Sequence, residues 1–216
     1  PFRRQRQLCI RDGGIIDWYT VLQKGVDDAI AANNDSDVRI YHYAEVTRVL
    51  DAIYYNNYDR VVNRVLPEVD VDFVSYSSYD ATWDASNASA MGANLKGALD
   101  YIESKLKPKS HITGKRVFIG EYGYPAKSHT EAKQDAYSKS VMKYSLEWGC
   151  PFVLYWEMYN NEVESGRQVG YWLIDNEGNE KDIYGTHKNF YDDMKEYVHN
   201  FRKDNGRLPS RDEYNA

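Results

Sequence analysis

The chain has 216 residues, enough for one domain with a hydrophobic core, and a formal net charge of -6. A nucleic-acid-binding protein would need a basic face, which this charge balance argues against, and no apolar run reaches the roughly 20 residues that span a bilayer. Aromatic residues make up 14% of the chain, including 20 Tyr and 5 Trp. Because these rings combine an apolar face with a polar edge, the composition is compatible with a ligand rich in hydroxyl groups, such as a sugar.

The first half of the chain alternates between helical and strand-like spacing of apolar residues. A helix is predicted around residues 18–30, followed by a strand in "VRIYHYAEV", residues 38–46. A second helical pattern ends before Pro67, and "VDFVSYSSYD", residues 71–80, reads as the next strand. A third helix follows over residues 95–106.

The same alternation continues to the end of the chain. "RVFIGEYG", residues 116–123, predicts a third strand, and a helix then runs to Trp148. "PFVLYWEMY", residues 151–159, predicts a fourth strand. We expect a short hairpin around residues 176–178 and a last helix over residues 190–201, before a polar tail.

Four strand–helix units that begin near residues 38, 71, 117 and 152 predict an α/β fold with a parallel sheet. A doubly wound sheet would usually carry a Gly-rich phosphate turn, and the sequence has none. A TIM (β/α)8 barrel needs about 250 residues and eight units. We therefore expect part of a single barrel domain of this type, strands five to eight. In this interpretation residues 1–37 form the helix after strand four, 38–200 form units five to eight, and 201–216 are the polar tail.

In a barrel the chemistry lies at the carboxyl ends of the strands, and the alternation of side chains predicts which of them point inward. The predicted inward residues are Tyr43 and Glu45 on the first strand, Ser77 and Tyr79 on the second, Val117, Ile119 and Glu121 on the third, and Phe152, Leu154 and Trp156 on the fourth. Glu45, Tyr79, Glu121 and Trp156 are thus expected to converge at the barrel mouth.

The order of these features resembles the (β/α)8 glycoside hydrolases of clan A, which include cellulases, mannanases and β-galactosidases. "VFIGEYGYP" is similar to their strand seven, which implies that Glu121 is the nucleophile. "SYSSYD" and "FVLYWEMYNNE" imply that Tyr79 hydrogen-bonds this nucleophile and that Trp156 forms the floor of the sugar subsite. The resemblance covers residues 38–190. Many members of the clan have a His where this chain has Ser77, so the particular family stays open.

The acid/base of the clan is a Glu at the end of strand four, usually after an Asn, and two interpretations of it remain. It lies upstream of Pro1, in which case this fragment is expected to have weak or no activity. Alternatively, the first strand is itself strand four, and Glu45 is the acid/base. A single strand separates Glu45 from Glu121 where the clan has two, which favours the upstream position.

The resemblance implies a retaining glycoside hydrolase that cleaves a β-linked oligo- or polysaccharide through a glycosyl-enzyme intermediate. Besides Tyr79 and Trp156, the residues expected on the substrate side are Tyr43, Ser77 and Asn161. The alternatives are a non-catalytic carbohydrate-binding half-barrel with an aromatic rim, and a structural domain in which the tyrosines only pack.

No cofactor is expected, and the five scattered His residues argue against a metal site. The expected partner is a carbohydrate substrate, with neither nucleic acid nor membrane. If the fragment stands alone, its open sheet edges would favour self-association. Two cysteines do not define a compartment, although a polysaccharide substrate would favour a secreted or periplasmic location.

Overall fold

The computed structural model describes residues 2–33, 40–83, 87–160 and 162–214, and the side chains of residues 2–12 and 211–212 are outside this description. The helices are α1 Phe2–Ala32, α2 Val49–Tyr54, α3 Val61–Arg64, α4 Tyr79–Thr82, α5 Ala88–Glu103, α6 Glu131–Trp148, α7 Asp182–Asn205 and α8 Arg211–Tyr214. The strands are β1 Tyr43–Thr47, β2 Phe73–Ser77, β3 Val117–Tyr122, β4 Val153–Tyr155, β5 Val163–Glu164 and β6 Arg167–Gln168.

The predicted α/β fold with a parallel sheet is confirmed. The main sheet has the order β1-β2-β3-β4, so each strand lies beside the strand that follows it in the chain. The β1–β2 and β2–β3 pairs are parallel, and helices connect the strands. Strands β5 and β6 form a separate antiparallel pair.

The chain divides into two compact units. The first contains Pro1–Tyr122 and Tyr144–Leu154, and the second contains Gly123–Lys143 and Tyr155–Ala216. In the first unit, α2, α4 and α5 contact one another, and both α4 and α5 contact β3. Apolar residues of α5 lie fully buried in this packing: Met91, Leu95, Leu99 and Ile102.

The two faces of the sheet in the first unit differ in burial. The covered face is apolar and almost inaccessible to solvent, with Ala44 and Val46 from β1, Val74 and Tyr76 from β2, and Val117 and Ile119 from β3. The opposite face carries aromatic side chains that are partly exposed. Among them, Phe118 makes edge-on contacts with Tyr43 and with Phe152, at centroid distances of 5.8 and 5.7 Å. We call this second surface the open face.

All four strands are shorter than the sequence predicts, although β3 loses only one residue at each end. Residues 38–39 lie outside the described residues, and β1 begins only at Tyr43. Strand β2 ends at Ser77 because the carbonyl of Ser78 accepts the N–H groups of Ala81 and Thr82, which starts a helical turn. Strand β4 has three residues instead of the nine predicted, so Trp156 follows the strand rather than ending it.

The connections also differ from the predicted elements. The helical pattern before Pro67 is two short helices, α2 and α3, separated by Asn56 in the left-handed region (φ 47°). The hairpin expected around residues 176–178 is reduced to one bridge between Ile174 and Glu180. The two-stranded hairpin lies earlier, at β5 and β6. The expected polar tail contains the end of α7 and all of α8.

The second unit is held by side chains that link α6 and α7. Asp135 accepts a 2.5 Å hydrogen bond from the Thr186 hydroxyl, and Glu131 accepts one from the backbone N–H of Asp182. Tyr155 packs edge-on against His187, and burial raises the pKa of Tyr155 to about 12. In the described part of the chain, no helix combines the length and apolar character needed to cross a membrane.

Candidate functional site

Four polar side chains of the first unit meet at the carboxyl end of the sheet. The Ser77 Oγ atom lies 2.6 Å from Glu45 Oε1 and 2.9 Å from Glu121 Oε2. The Tyr79 hydroxyl donates a 2.9 Å hydrogen bond to the other oxygen of Glu121. Glu45 is exposed, Glu121 and Tyr79 are half-buried, and Ser77 is buried. We call these four residues the carboxylate cluster.

A register shift brings Glu121 into this cluster. Tyr76 of β2 pairs with Ile119 of β3, but the next residue, Ser77, pairs with Glu121, so that Gly120 is passed over. Such a β-bulge changes which side chains share a face. The prediction that Val117 and Ile119 share the inward face with Glu121 is therefore wrong. Both are buried on the covered face, and only the bulge turns Glu121 to the open face with Ser77.

Gly120 packs closely against β2. A Cβ atom there would lie 1.8 Å from Ser75 Oγ, so that hydroxyl would have to move, and 3.0 Å from Ser75 Cβ, which is a tight contact. The carbonyl of Glu121 then accepts hydrogen bonds from the Ser78 backbone N–H, at 2.9 Å, and from the Ser78 hydroxyl, at 3.2 Å. The backbone on both sides of the Glu121 side chain is thus fixed by β2.

We expect Gly120→Ala to destabilise the protein by about 1–3 kcal/mol, the usual cost of forcing a methyl group into a packed site. Urea denaturation measures this loss. Gly97→Ala is the matched control, because a Cβ atom at Gly97 in α5 meets no heavy atom within 4 Å, and Ala there should stabilise the helix by about 0.5–1 kcal/mol. Adding Ser75→Gly should recover part of the loss, and a Gly120→Ala variant as stable as the wild type would contradict this account of the bulge.

Tyr79 reaches Glu121 from a helix, not from a strand end. The sequence places Tyr79 on the second strand, whereas it is the first residue of α4. The contact itself matches the one that the resemblance implies. Behind Tyr79, the Asp80 carboxylate accepts hydrogen bonds from the Leu50 N–H and the Tyr76 hydroxyl, at 2.8 and 2.7 Å. These bonds tie α2 and α4 to β2 and hold the Tyr79 backbone in place.

Behind the cluster, Tyr76 is fully buried and Asp80 is half-buried. Burial raises the pKa of Asp80 above its ordinary value, an effect that the hydrogen bonds from Leu50 and Tyr76 oppose. Burial also raises the pKa of the Tyr76 phenol, and the Asp80 carboxylate beside it adds to this increase. Tyr76 therefore stays a neutral donor to Asp80 over the ordinary pH range.

The sequence interpretation missed Trp83, an aromatic residue beside the cluster. It follows the last residue of α4, and 43% of it is exposed. Its ring meets Tyr79 edge-on, with the centroids 5.5 Å apart. The spacing of four residues between Tyr79 and Trp83 was the available signal, because such residues share one side of a helix.

Ser77 and Tyr43 were both expected on the substrate side. The Ser77 hydroxyl instead faces two carboxylates, which gives it a role in the arrangement of the cluster. Tyr43 lies on the open face, on the same side of β1 as Glu45, and packs against Phe118. His42 precedes β1 and is buried, with its Nδ1 atom 3.1 Å from Gln23 Oε1 of α1. Burial lowers the pKa of His42.

The remaining predicted site residues belong to the second unit. Trp156 is 36% exposed, and its indole N–H donates a 2.9 Å hydrogen bond to Glu162. Gly123 is required near it, because a Cβ atom there would lie 2.3 Å from the Trp156 carbonyl oxygen. The side-chain oxygen of Asn160 accepts hydrogen bonds from the backbone N–H groups of Gly170 and Tyr171, so this side chain has a structural role in the turn. The predicted sugar-binding residue Asn161 lies outside the described residues.

Comparison with known proteins identifies no relative. Scans of protein-family models, of curated proteins and of solved structures found no match. Within the described ranges, no group of three or more His, Cys, Asp or Glu side chains is arranged to hold a metal ion. Any functional interpretation of this chain therefore depends on the geometry of its own residues.

The carboxylate cluster is suited to reactions that need a fixed nucleophilic carboxylate and a second carboxyl group nearby. Tyr79 donates to one oxygen of Glu121, and the Ser77 hydroxyl, whose single proton can go to either Glu45 or Glu121, lies beside the other. These contacts orient the Glu121 carboxylate and complement its negative charge. Glu45 is exposed, so its carboxyl group can exchange protons with a substrate or with water. Two carboxyl groups with such different environments can take different roles.

Proposed function

We propose that the chain is a retaining glycoside hydrolase, with Glu121 as nucleophile and Glu45 as acid/base. In the first step the Glu121 carboxylate attacks the anomeric carbon while Glu45 gives its proton to the departing glycosidic oxygen. In the second step Glu45 takes a proton from water, whose oxygen attacks the anomeric carbon and releases Glu121. The β-linked oligo- and polysaccharides implied by the resemblance are the proposed substrate class.

The spacing of the two carboxyl groups carries this proposal. Ser77 Oγ lies 2.6 Å from a Glu45 oxygen and 2.9 Å from a Glu121 oxygen. These two oxygens are therefore separated by no more than about 5.5 Å, and retaining enzymes have carboxyl groups about 5–5.5 Å apart, while inverting enzymes need a wider gap for water. The same spacing favours Glu45 over an acid/base from another part of a longer protein.

We further infer that the sheet belongs to a (β/α)8 barrel. Two observations support this inference: the strands follow one another in chain order, and α4 and α5 pack against a sheet whose other face stays open. A doubly wound sheet reverses its strand order at a switch point, and helices cover both of its faces. Side chains of β1 alternate between the covered face and the open face, as the residues of barrel strands alternate between the exterior and the interior.

A non-catalytic carbohydrate-binding protein is the second candidate. The exposed aromatic rings of Trp83 and Trp156 favour it, since sugar binding needs such surfaces and no paired carboxyl groups. A binding protein, however, does not explain why Glu45 and Glu121 both contact the Ser77 hydroxyl. The two candidates differ in whether a covalent intermediate forms.

Covalent trapping tests the proposed reaction. The intact chain is incubated with dinitrophenyl 2-deoxy-2-fluoro-β-glycosides of glucose, mannose and galactose, which form glycosyl-enzymes that hydrolyse slowly. We expect one fluorosugar per chain, attached to the tryptic peptide of residues 117–127. Glu121 is the only carboxylate side chain in this peptide, so its mass identifies the nucleophile.

The tryptic peptide of residues 40–48 is the internal comparison, because Glu45 is its only carboxylate side chain. A label on this peptide would mean that Glu45 is the nucleophile and that Glu121 is the acid/base. A protein that binds sugars but acquires no label from any of the three reagents would contradict the retaining mechanism and favour the binding protein.

A further inference from the structure

Trp83 is presented to solvent from a short but well-anchored helix. Within α4, Ala81 and Thr82 are completely buried, and the Thr82 hydroxyl donates a hydrogen bond to the Ser78 carbonyl. The backbone N–H of Trp83 donates a 2.8 Å hydrogen bond to the Tyr79 carbonyl. The indole therefore projects from a fixed backbone, although 43% of the residue is accessible.

The orientation of this indole is set by a residue of the carboxylate cluster. The Trp83 and Tyr79 rings meet at an angle of 82°, and the Tyr79 hydroxyl donates to Glu121. A single side chain thus separates the indole from the proposed nucleophile. A rigid aromatic ring loses little conformational freedom when a ligand binds, and its apolar face can stack on the C–H groups of a sugar ring.

We propose that Trp83 forms a second sugar subsite, which stacks on the sugar adjacent to the one that Glu121 attacks. This inference rests on the proposed function and narrows the substrate class to saccharides of at least two sugar residues. Trp83 is a specificity-determining residue in this scheme, because it binds a part of the substrate that does not react.

Chain-length dependence tests the subsite. The kcat and KM values of Trp83→Ala and of the wild type are measured with two kinds of substrate. These are aryl β-glycosides of single glucose or mannose residues, and the β-1,4-linked trisaccharides of the same two sugars. We expect kcat/KM for the trisaccharide to fall about 10-fold more than kcat/KM for the monoglycoside, the effect of losing one aromatic stacking contact. Trp83→Phe should retain most of the trisaccharide activity. Tyr191→Ala is the control, because Tyr191 is exposed on α7, a helix that contributes no residue to the carboxylate cluster, and its loss should affect neither substrate.

Binding without turnover separates this inference from the proposed catalysis. Trp83→Ala is added to Glu121→Gln, and calorimetry measures the affinity for the same trisaccharides, with thermal unfolding as the check on folding. A loss of affinity supports the subsite even if the wild type hydrolyses nothing. An equal loss of activity on monoglycoside and trisaccharide would overturn the subsite, since Trp83 would then only support Tyr79. Unchanged trisaccharide kinetics, or no affinity for either trisaccharide, would overturn it as well.

Discussion

Glu121→Gln should abolish glycoside hydrolysis, with kcat reduced by at least about 10⁴-fold, the scale seen when an enzyme loses its nucleophile. The amide keeps the shape of the side chain, although it replaces one of the two oxygens that face Ser77 and Tyr79 by an NH2 group, and it cannot form the glycosyl ester. Initial rates on aryl β-glycosides measure the loss, and calorimetry with the trisaccharides should show that sugar binding survives. Glu68→Gln, an exposed residue at the amino end of the sheet, is the matched control and should keep wild-type kinetics.

Glu45→Gln should give a different kinetic pattern, which separates the two carboxyl groups. A glycoside with an activated dinitrophenol leaving group needs no proton in the first step, so its kcat/KM should stay close to that of the wild type. With an alkyl or sugar leaving group, kcat/KM should fall about 10²–10⁴-fold, the usual contribution of a general acid. Equal losses of kcat/KM with both kinds of leaving group would identify Glu45 as a residue that only positions Glu121. For the other carboxyl group, a Glu121→Gln protein with unchanged turnover would contradict the assignment of Glu121 as the nucleophile.

The identity of Glu121 could be read from the sequence, although part of the reasoning that led to it fails in three dimensions. Simple alternation places Glu121 on the same face as Val117 and Ile119, yet these two residues are buried against the helices. The alternation of side chains between the two faces of the sheet is interrupted at Gly120, where the bulge adds one residue to β3. A glycine inside a strand pattern is a signal for such a bulge, but its effect on register depends on Ser75 in the neighbouring strand.

The contacts of Ser77 and Tyr79 show where sequence patterns stop being informative. Tyr79 was assigned by extending a strand that ends two residues earlier, and the turn at Ser78 depends on the Glu121 carbonyl, 43 residues further along the chain. Ser77 was expected to contact the substrate, but its environment is set by two carboxylates from other strands. Long-range pairing of this kind leaves no periodic signal in the chain.

Arg116→Met is expected to lower the free energy of unfolding by about 3 kcal/mol or more, the largest stability effect predicted for this chain. The Arg116 guanidinium is buried and donates hydrogen bonds to the carbonyls of Val71, Asp72 and Lys107, at 2.6, 2.8 and 2.5 Å. It thereby joins the start of β2 to the segment after α5. Burial lowers the pKa of Arg116, but a guanidinium stays charged at any accessible pH.

Methionine fills much of the arginine volume but would leave these carbonyls without their donors, and each unmet buried group costs about 1–3 kcal/mol. Arg116→Lys should recover little, because one ammonium group cannot reproduce the planar fork that reaches three acceptors. Arg202→Met, at an exposed position in the last turn of α7, should change stability by less than about 1 kcal/mol. Urea unfolding measures the stability of all three variants. An Arg116→Met protein whose free energy of unfolding changes by less than about 1 kcal/mol would contradict the role of the guanidinium. Arg116 precedes the amino end of β3 and Glu121 lies near the carboxyl end, so kcat of the folded variant should equal that of the wild type.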